Sequence, residues 1–292
     1  MAELAQPAAD EFSPLELSSL NFQSHIEQTA FEKMVEEARS LIRQGDMFQC
    51  VLSQRFSAEY SGKPLDYYRN LRVTNPSNYL YFYDFGDYQI IGASPESLVS
   101  VKQGQVTTNP IAGTRPRGKD EREDKALAEE LLADEKEVAE HRMLVDLGRN
   151  DIGKIAQNNS VEVTKYMEVE YFRYVMHLTS VVRGQLLPQL TAMDALKSTL
   201  PAGTVSGAPK IRAMKRIYEL EQEKRGVYAG AIGYLSATGD MDFAIAIRTM
   251  ILKNGRAYVQ AGAGIVYDSI PTNEYQETIN KAKSMTKIGE MQ

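Results

Sequence analysis

The grouping of predicted strands and helices is the feature that most constrains the fold of this chain. Strand-like runs follow one another in groups, and the helical stretches are collected between those groups. A doubly wound parallel sheet instead needs strands and helices that alternate one by one. The pattern therefore predicts an α+β architecture and argues against a doubly wound parallel sheet.

Hydrophobic periodicity and turn-forming residues locate the predicted elements. The predicted strands cover 48–58, 79–84, 88–93, 97–101, 105–109, a tyrosine-rich region at 161–183, 228–237, 242–252 and 256–262. The predicted helices cover a stretch that stops at Gly45, 119–147, 191–200, 209–225 and about 273–287, where Asn273 and Gln276 resemble a capping box. Residues 1–24 lack a firm period, which predicts a leader or linker before one domain at 25–292.

Charge and cysteine content argue against several classes of protein. A net charge of −6 and a pI near 5.3 disfavour a nucleic acid partner, which needs a basic surface. No apolar run approaches the length of a membrane span. The single cysteine, Cys50, leaves no internal disulfide and suits the reducing cytoplasm.

Two acidic pairs of the same spacing lie on predicted helices far apart in the chain. They are Glu137 with Glu140, and Glu274 with Glu277. Residues three apart on a helix leave the same face, so two such faces brought together would concentrate four carboxylates. Mg²⁺ fits such a group because it takes oxygen ligands, keeps several waters and bridges carboxylates to anionic substrates. For either pair alone, a solvated helix surface is the commoner situation.

Two glycine-containing segments offer backbone donors to an anion. In 109–118, Gly113 permits close approach and Thr114 adds a hydroxyl, although a tight connection is the favoured interpretation of this segment alone. In 260–264, Gly262, Ala263 and Gly264 follow a strand, where exposed N–H groups bind carboxylates. A structural bulge is the competing interpretation of the second segment.

Three further polar residues stand in apolar or loop surroundings. Alternation in the predicted strand 242–252 puts Arg248 on the face of two alanines, which favours a pocket over a sheet edge. His177 lies in an apolar strand, where a hydrogen-bonded core residue is commoner than a general acid or base. Thr204 precedes a helix in a loop that is free to meet an anion but lacks the ending of a nucleotide P-loop. Together with the glutamates, these groups suit a small dianion with two separated carboxylates.

Four motifs resemble the signatures of the chorismate-utilising enzymes. They are PIAGTRPR at 110–117, EHRMLVDLGRND at 140–151, GTVSGAPK at 203–210 and QAGAG at 260–264. The resemblance covers roughly residues 25 to 290 and is strongest to component I of the anthranilate synthases. It implies a sandwich of two antiparallel sheets with helices outside.

The resemblance also implies roles for single residues. Glu140 and Glu277 would contact Mg²⁺, and Glu137 and Glu274 would bind its waters, so that the metal meets the ring carboxylate of chorismate. The substrate-binding set comprises Gly113 and Thr114 along the ring, with Tyr228, Arg248, Gly262, Ala263 and Gly264 at the enolpyruvyl carboxylate. The catalytic set comprises Glu96 near the departing C4 hydroxyl, His177 at pyruvate elimination, Thr204 and Lys281.

Two residues distinguish the subclasses of this family. Isochorismate and salicylate synthases place a lysine base where Gln49 stands, and water at C2 is poorly activated without that base. Aminodeoxychorismate synthases usually carry a nucleophilic lysine where Ala112 stands. Ammonia would therefore add at C2 and yield anthranilate and pyruvate, as in tryptophan biosynthesis. Aminodeoxychorismate synthase component I, or a fragment that binds chorismate or a partner without catalysis, are the alternatives.

The resemblance further implies a partner and a longer architecture. Cys50 lies in a strand-like run without a nucleophile elbow, so glutamine would need a separate glutamine amidotransferase subunit, whereas free ammonia could serve directly. Members of this kind usually carry a further N-terminal portion. The chain is expected to begin in the linker that follows it.

Overall fold

The computed structural model describes residues 20–221 and 223–287 and contains two seven-stranded sheets in which every strand pair is antiparallel. In spatial order, the first sheet contains β1 (Gln23–Ser24), β2 (Gln49–Glu59), β14 (Arg256–Ile265), β13 (Thr249–Lys253), β4 (Tyr88–Ser94) and β3 (Tyr79–Asp84), with β10 (Gly207–Ala208) also on β2. The second contains β11 (Ala231–Leu235), β12 (Met241–Ile245), β5 (Ser97–Lys102), β6 (Gln105–Thr108), β9 (Val175–Gln185) and β7 (Ile111–Pro116), with β8 (Glu162–Tyr171) also on β9.

Helices flank both sheets, which confirms the predicted α+β sandwich. The described helices are α1 (Gln28–Arg43), α2 (Pro64–Thr74), α3 (Glu121–Ala133), α4 (Glu135–Gly153), α5 (Ala192–Thr199), α6 (Lys210–Leu220) and α7 (Pro271–Thr286). Helices α2 and α7 bury apolar side chains against the first sheet, among them Tyr67, Leu71 and Met285. Helices α4 and α5 pack against the second sheet around Val145 and Ile152.

Two of the crossovers between the sheets are short and lie next to each other. Strand β4 of the first sheet leads through residues 95–96 to β5 of the second, and β12 of the second leads through 246–248 to β13 of the first. The crossovers are hydrogen-bonded to each other, since Ile245 N donates to Glu96 O at 3.0 Å and Ala93 N donates to Arg248 O at 3.0 Å. The two sheets are therefore joined at one place by paired backbone.

The single strand predicted at 242–252 is wrong, because it comprises β12 and β13 in different sheets. Arg248 sits between them with φ +48, a conformation that interrupts the alternation of a strand. The connection favoured for 109–118 is also wrong in part, because residues 111–116 pair with β9 as β7. The resulting edge gives Gly113 and Thr114 fixed neighbours.

Three helix predictions need correction at their ends. The stretch 119–147 is two helices that meet at Asp134, whose extended backbone ends α3 and whose carboxylate accepts from Lys136 N and Glu137 N at the start of α4. Helix α6 ends at Leu220, not at residue 225. Helix α7 begins after Ile270 without a side-chain cap, so the capping box at Asn273 is wrong.

The predicted leader at 1–24 falls largely outside the described residues. Of its last five residues, Gln23 and Ser24 pair with β2, and Leu20 and Phe22 pack against the core of the first sheet. The described part of this segment therefore contacts the sandwich.

Candidate active site

Glu96 and Arg248 lie on the two adjacent crossovers, and this pairing brings the candidate site together. Burial is the main cause that raises the pKa of the Glu96 carboxyl from 4.5 to about 7, while Lys281 and Arg248 act in the opposite sense. The carboxyl is enclosed by protein although the residue keeps some exposed surface. A carboxyl with this pKa is partly protonated at neutral pH and can donate a proton.

Thr204 faces Glu96 from a short 3₁₀ turn at Gly203–Val205. Its hydroxyl lowers the pKa of Glu96, although Thr204 Oγ1 is buried without a well-formed hydrogen bond to the described residues. Both residues line a narrow cleft that continues along α4 past Leu144 and Gly148. The cleft therefore lies beside the residue that carries the enclosed carboxyl.

Arg248 is held from behind by α7. Its Nη1 donates to Lys281 O at 3.0 Å and to Ser284 Oγ at 2.8 Å. Burial lowers its pKa, whereas the nearby Tyr228, Glu96 and Glu277 favour the charged form. Arg248 is partly buried, and the strand alternation that suggested a pocket does not exist at this point of the chain.

Lys281 connects α7 to the glycine segment of β14. Its Nζ lies 2.5 Å from Glu277 Oε1 and donates to Gly262 O at 3.1 Å. Gly262 is also constrained by Tyr228, because a Cβ at that residue would lie 2.6 Å from the Tyr228 hydroxyl. Only glycine therefore allows the buried Tyr228 to approach this backbone. Ala263 contributes backbone alone, since its side chain is buried in the cluster around α1.

His177 lies on β9 opposite β7. Its Nδ1 is 2.9 Å from Gly113 O and 3.1 Å from Thr114 Oγ1, and the ring edge meets Phe172. Donation from Nδ1 to the carbonyl leaves Nε2 as the acceptor nitrogen. Gly113 has φ +67, and a Cβ there would lie 3.3 Å from Glu137 Oε2, so this loop touches the acidic pair on α4.

Gln49 links the second glutamate of α4 to β14. Its Nε2 donates to Glu140 Oε1 at 2.9 Å and would lie 2.7 Å from a Cβ at Gly264. Gln49 is buried, and its Oε1 accepts no hydrogen bond from the described residues. The amide therefore fixes Glu140 at the end of the glycine segment.

The two acidic pairs lie at the starts of α4 and α7. Burial and the neighbouring Glu140 raise the pKa of Glu137, and burial likewise raises that of Glu274, with a contribution from Glu277. Lys136 of α4 lowers the pKa of Glu274, so the two helix starts are within electrostatic reach of each other. Carboxylates that repel each other in this way form a donor set suited to a cation.

Within 20–221 and 223–287, no three acidic, histidine or cysteine side chains stand close enough to form a complete metal cage. Mg²⁺ does not need one, because it is commonly held by one or two carboxylates with waters and substrate oxygens. The glutamates therefore fit Mg²⁺ by their chemistry. Their convergence on one ion, like the roles of the other site residues, stays a prediction.

Sequence reasoning missed two contacts of the site. Gln49 was considered only as a subclass marker, and its bond to Glu140 has no local sequence signal because the residues belong to distant elements. Glu221 and Arg225 were included in a predicted helix, but they form a buried ion pair beyond its end. Their spacing of four signalled a pair, which on an exposed helix would contribute little.

Solved structures of known proteins match this fold. The anthranilate synthase component I of Streptococcus pneumoniae TIGR4 matches with a TM-score of 0.91 and 80% identity over 98% of this chain and 63% of that one. The menaquinone-specific isochorismate synthase of Escherichia coli matches with a TM-score of 0.83 and 26% identity over 92% of this chain and 62% of that one. The fold is thus that of the chorismate-utilising enzymes.

The sequence leads to the same class. The chorismate binding enzyme family matches residues 2–287, and the chain belongs to this family. Anthranilate synthase component 1 of Lactococcus lactis subsp. lactis (strain IL1403) is 63% identical over 94% of this chain and 60% of its own length. The chain thus spans about three fifths of that relative. Within the described residues, no helix is long and apolar enough to cross a membrane.

Proposed function

We propose that the chain is the chorismate-converting part of an anthranilate synthase component I, with residues 25–292 as its catalytic unit. It would be a lyase that converts chorismate and ammonia to anthranilate and pyruvate in tryptophan biosynthesis. The kinship to proteins named anthranilate synthase component 1 supports this proposal. The observation that carries it is the amide of Gln49, which is bonded to Glu140 where a base would activate water.

Ammonia is the nucleophile that this site suits. Water attacking C2 needs a base, and the Gln49 amide can neither accept a proton at neutral pH nor leave Glu140 without cost. Ammonia brings its own lone pair. Ala112 offers no amine that could attack the ring, which disfavours the aminodeoxychorismate route.

In the first step, ammonia forms the C2–N bond, the ring double bonds shift, and the C4–O bond breaks. Glu96 would donate its proton to the departing C4 hydroxyl, which leaves as water. A pKa of about 7 keeps a large fraction of this carboxyl protonated at neutral pH, as a general acid requires. Thr204 would orient the Glu96 carboxyl through its hydroxyl.

In the second step, the C2 proton is removed and the C3–O bond to the enolpyruvyl group breaks, which makes the ring aromatic. His177 Nε2 would take the proton, because Nδ1 is committed to Gly113 O at 2.9 Å. Enolpyruvate then leaves and tautomerises to pyruvate. Gly113 and Thr114 would line the ring beside this histidine.

The two carboxylates of chorismate would be held at opposite ends of the site. Tyr228, Arg248 and the N–H groups of 262–264 would hold the enolpyruvyl carboxylate, with Lys281 fixing Gly262. Glu140 and Glu277 would bind Mg²⁺, with Glu137 and Glu274 bonded to its waters. The metal would neutralise the ring carboxylate and so withdraw electrons from C2.

We further propose a cytoplasmic location and a glutamine amidotransferase subunit as the source of ammonia. Cys50 supports both points. It is buried in β2, and burial raises the pKa of its thiol to about 12, so it does not suit a nucleophile that releases ammonia from glutamine. Ammonium salts at alkaline pH should replace the partner in the laboratory.

Product identification tests the proposed function. Purified chain with chorismate, Mg²⁺ and ammonium should release anthranilate, followed by its fluorescence, and an equal amount of pyruvate. Omitting ammonium should stop both. Formation of isochorismate or 4-amino-4-deoxychorismate would contradict the assignment, as would chorismate binding by calorimetry without any product.

The metal assignment has its own test. Glu277→Gln should lower kcat/KM by about 10³-fold by weakening Mg²⁺ binding, so that higher Mg²⁺ partly restores activity. Glu219→Gln on α6 is the matched control and should behave as the parent. An unchanged dependence of rate on Mg²⁺ in Glu277→Gln would contradict this role.

A further inference from the structure

We propose that the partly buried Glu221–Arg225 ion pair is a positioning element for the substrate site, holding Thr204, Tyr228 and the glycine segment of β14 in register. The inference deepens the proposed function, and the kinetic part of its test rests on that function. Among the described residues, neither Glu221 nor Arg225 is hydrogen-bonded to Glu96 or to the acidic pairs. Their effect would pass through the groups that they hold.

The pair itself is well formed and shielded. Arg225 Nη2 lies 2.6 Å from Glu221 Oε1, and Arg225 Nε lies 2.8 Å from Glu221 Oε2, which is the two-pronged geometry of a strong arginine–carboxylate pair. The Arg225 side chain is 16% exposed and that of Glu221 is 7% exposed. Such shielding limits screening by salt and gives the contacts a fixed direction.

Arg225 binds the backbone on both sides of the site. Its Nη1 donates to Val205 O at 2.5 Å, one residue after Thr204, and its Nη2 donates to Val51 O at 2.6 Å. The 3₁₀ turn that presents Thr204 to Glu96 is thereby tied to the central strand β2. A shift of the guanidinium would move that turn.

The same guanidinium supports Tyr228. The Arg225 carbon Cζ lies over the Tyr228 ring at 5.4 Å from its centroid, a cation–π contact in a buried setting. The other end of Tyr228 is its hydroxyl, which lies against Gly262. Arg225 therefore fixes the tyrosine between itself and the glycine segment.

Glu221 extends the network to the start of that segment. Its Oε1 accepts from Ser53 N at 2.8 Å and from Ser53 Oγ at 2.9 Å. Ser53 Oγ in turn accepts from Gln260 Nε2 at 2.8 Å. Gln260 opens the 260–264 motif, so one ion pair reaches that motif, the 203–210 motif through Val205, and Tyr228.

The energetics of buried ion pairs favour a positioning role over a purely stabilising one. Two apolar residues of similar volume often stabilise a fold as well as a buried pair, because the pair loses hydration of both charges. Apolar side chains cannot make the directed bonds to Val51, Val205 and Ser53. These bonds fix geometry, and small misplacements of site groups cost large factors in rate.

The double variant E221M/R225M tests the inference, because it removes the pair without leaving a buried charge. R225K keeps a charge but cannot bind Glu221, Val51 and Val205 at once. R216M, which removes an ionic contact of α6 with Asp46, is the matched control. Circular dichroism and thermal melts should show all of them folded, and chorismate kinetics and a crystal structure of the double variant should be measured.

We expect kcat/KM of E221M/R225M to fall about 100-fold, with KM for chorismate raised at least about 10-fold, and R225K to recover the melting temperature but not KM. R216M should match the parent. A folded double variant whose KM stays within about twofold of the parent would overturn the inference. Should the parent make no anthranilate, the proposed function fails, and the crystal structure decides alone: Thr204 and Tyr228 displaced by about 1 Å support the inference, and unmoved side chains contradict it.

Discussion

Glu96 and Asp46 are two carboxyls that each face two cationic side chains, yet their pKa values move in opposite directions. Hydrogen bonds from Arg216 and Arg212 hold the pKa of Asp46 well below its usual range. Burial raises the pKa of Glu96 to about 7 although Lys281 and Arg248 are near. The difference is therefore not one of charge count.

The contrast arises because the cations near Asp46 bind its carboxylate, whereas those near Glu96 are hydrogen-bonded to other groups. Arg216 Nε donates directly to Asp46 Oδ2 at 2.8 Å. Arg248 instead donates to Lys281 O and Ser284 Oγ, and Lys281 binds Glu277 and Gly262 O. Cations held by other partners offset little of the cost of burying Glu96. Asp46 is thus held in its charged form by two arginines, whereas Glu96 is partly protonated at neutral pH.

The largest expected effect is on turnover. Glu96→Gln should lower kcat by about 10³-fold or more, because the amide cannot protonate the leaving hydroxyl. Asp46→Asn should keep kcat within about twofold of the parent, since the Asp46 carboxylate accepts its hydrogen bonds from Arg212 and Arg216 of α6. Steady-state anthranilate formation measures kcat of both variants. An equal loss of kcat in the two variants would contradict the difference between the two carboxyls.

The second expected effect is on the pH dependence of folding stability, and the contributions of Glu96 and Asp46 should have opposite signs. The folded pKa of Glu96 lies above its unfolded value of 4.5, so deprotonation favours unfolding as pH rises from about 4.5 to 7. Glu96→Gln should remove this cost and stabilise the protein at pH 8 by roughly 2–3 kcal/mol, with little change at pH 4. Urea unfolding at both pH values measures it.

Asp46 should show the reverse. Its folded pKa lies below its unfolded value, so its contribution to stability is present at neutral pH and is lost as pH falls below about 4. Asp46→Asn should therefore lower the melting temperature at pH 7 and approach the parent at acid pH. If the changes in folding stability of Glu96→Gln and Asp46→Asn follow pH in the same direction, the proposed difference between the two carboxyls is contradicted.

The smallest expected effect comes from Thr204. Its hydroxyl lowers the pKa of Glu96, so Thr204→Val should raise that pKa and move the alkaline limb of kcat to higher pH. Thr191→Val, which changes a threonine at the start of α5, is the control. If the alkaline limb of kcat moves to lower pH, or does not move, the Thr204 hydroxyl does not lower the pKa of Glu96.

Periodicity and turns predicted most strands of the sandwich because their signals are local. Strand β3 at Tyr79–Asp84 matches its predicted bounds, and β4 and β5 differ from theirs by one residue at the C-terminal end. Helix α2 was missed between two such strands, where only turns were expected. Its buried face rests on Tyr67 and Leu71, a pattern too short to stand out in the sequence.

The crossovers were beyond the reach of pattern reasoning. An apolar run at 242–252 reads as one strand, and the positive φ of Arg248 that divides it has no composition signal. The buried Glu96 was found only through the resemblance, since an isolated glutamate after Pro95 gives no hint of its neighbours. Tertiary contacts determine its pKa.

Burial keeps a large fraction of the Glu96 carboxyl protonated near neutral pH, and the proposed proton donation depends on this fraction. Carboxyl carbon NMR of glutamate-labelled protein, with Glu96→Gln to assign the resonance, measures this pKa directly. We predict a midpoint of about 7 for Glu96. A midpoint near the ordinary glutamate value of 4.5 would contradict the account.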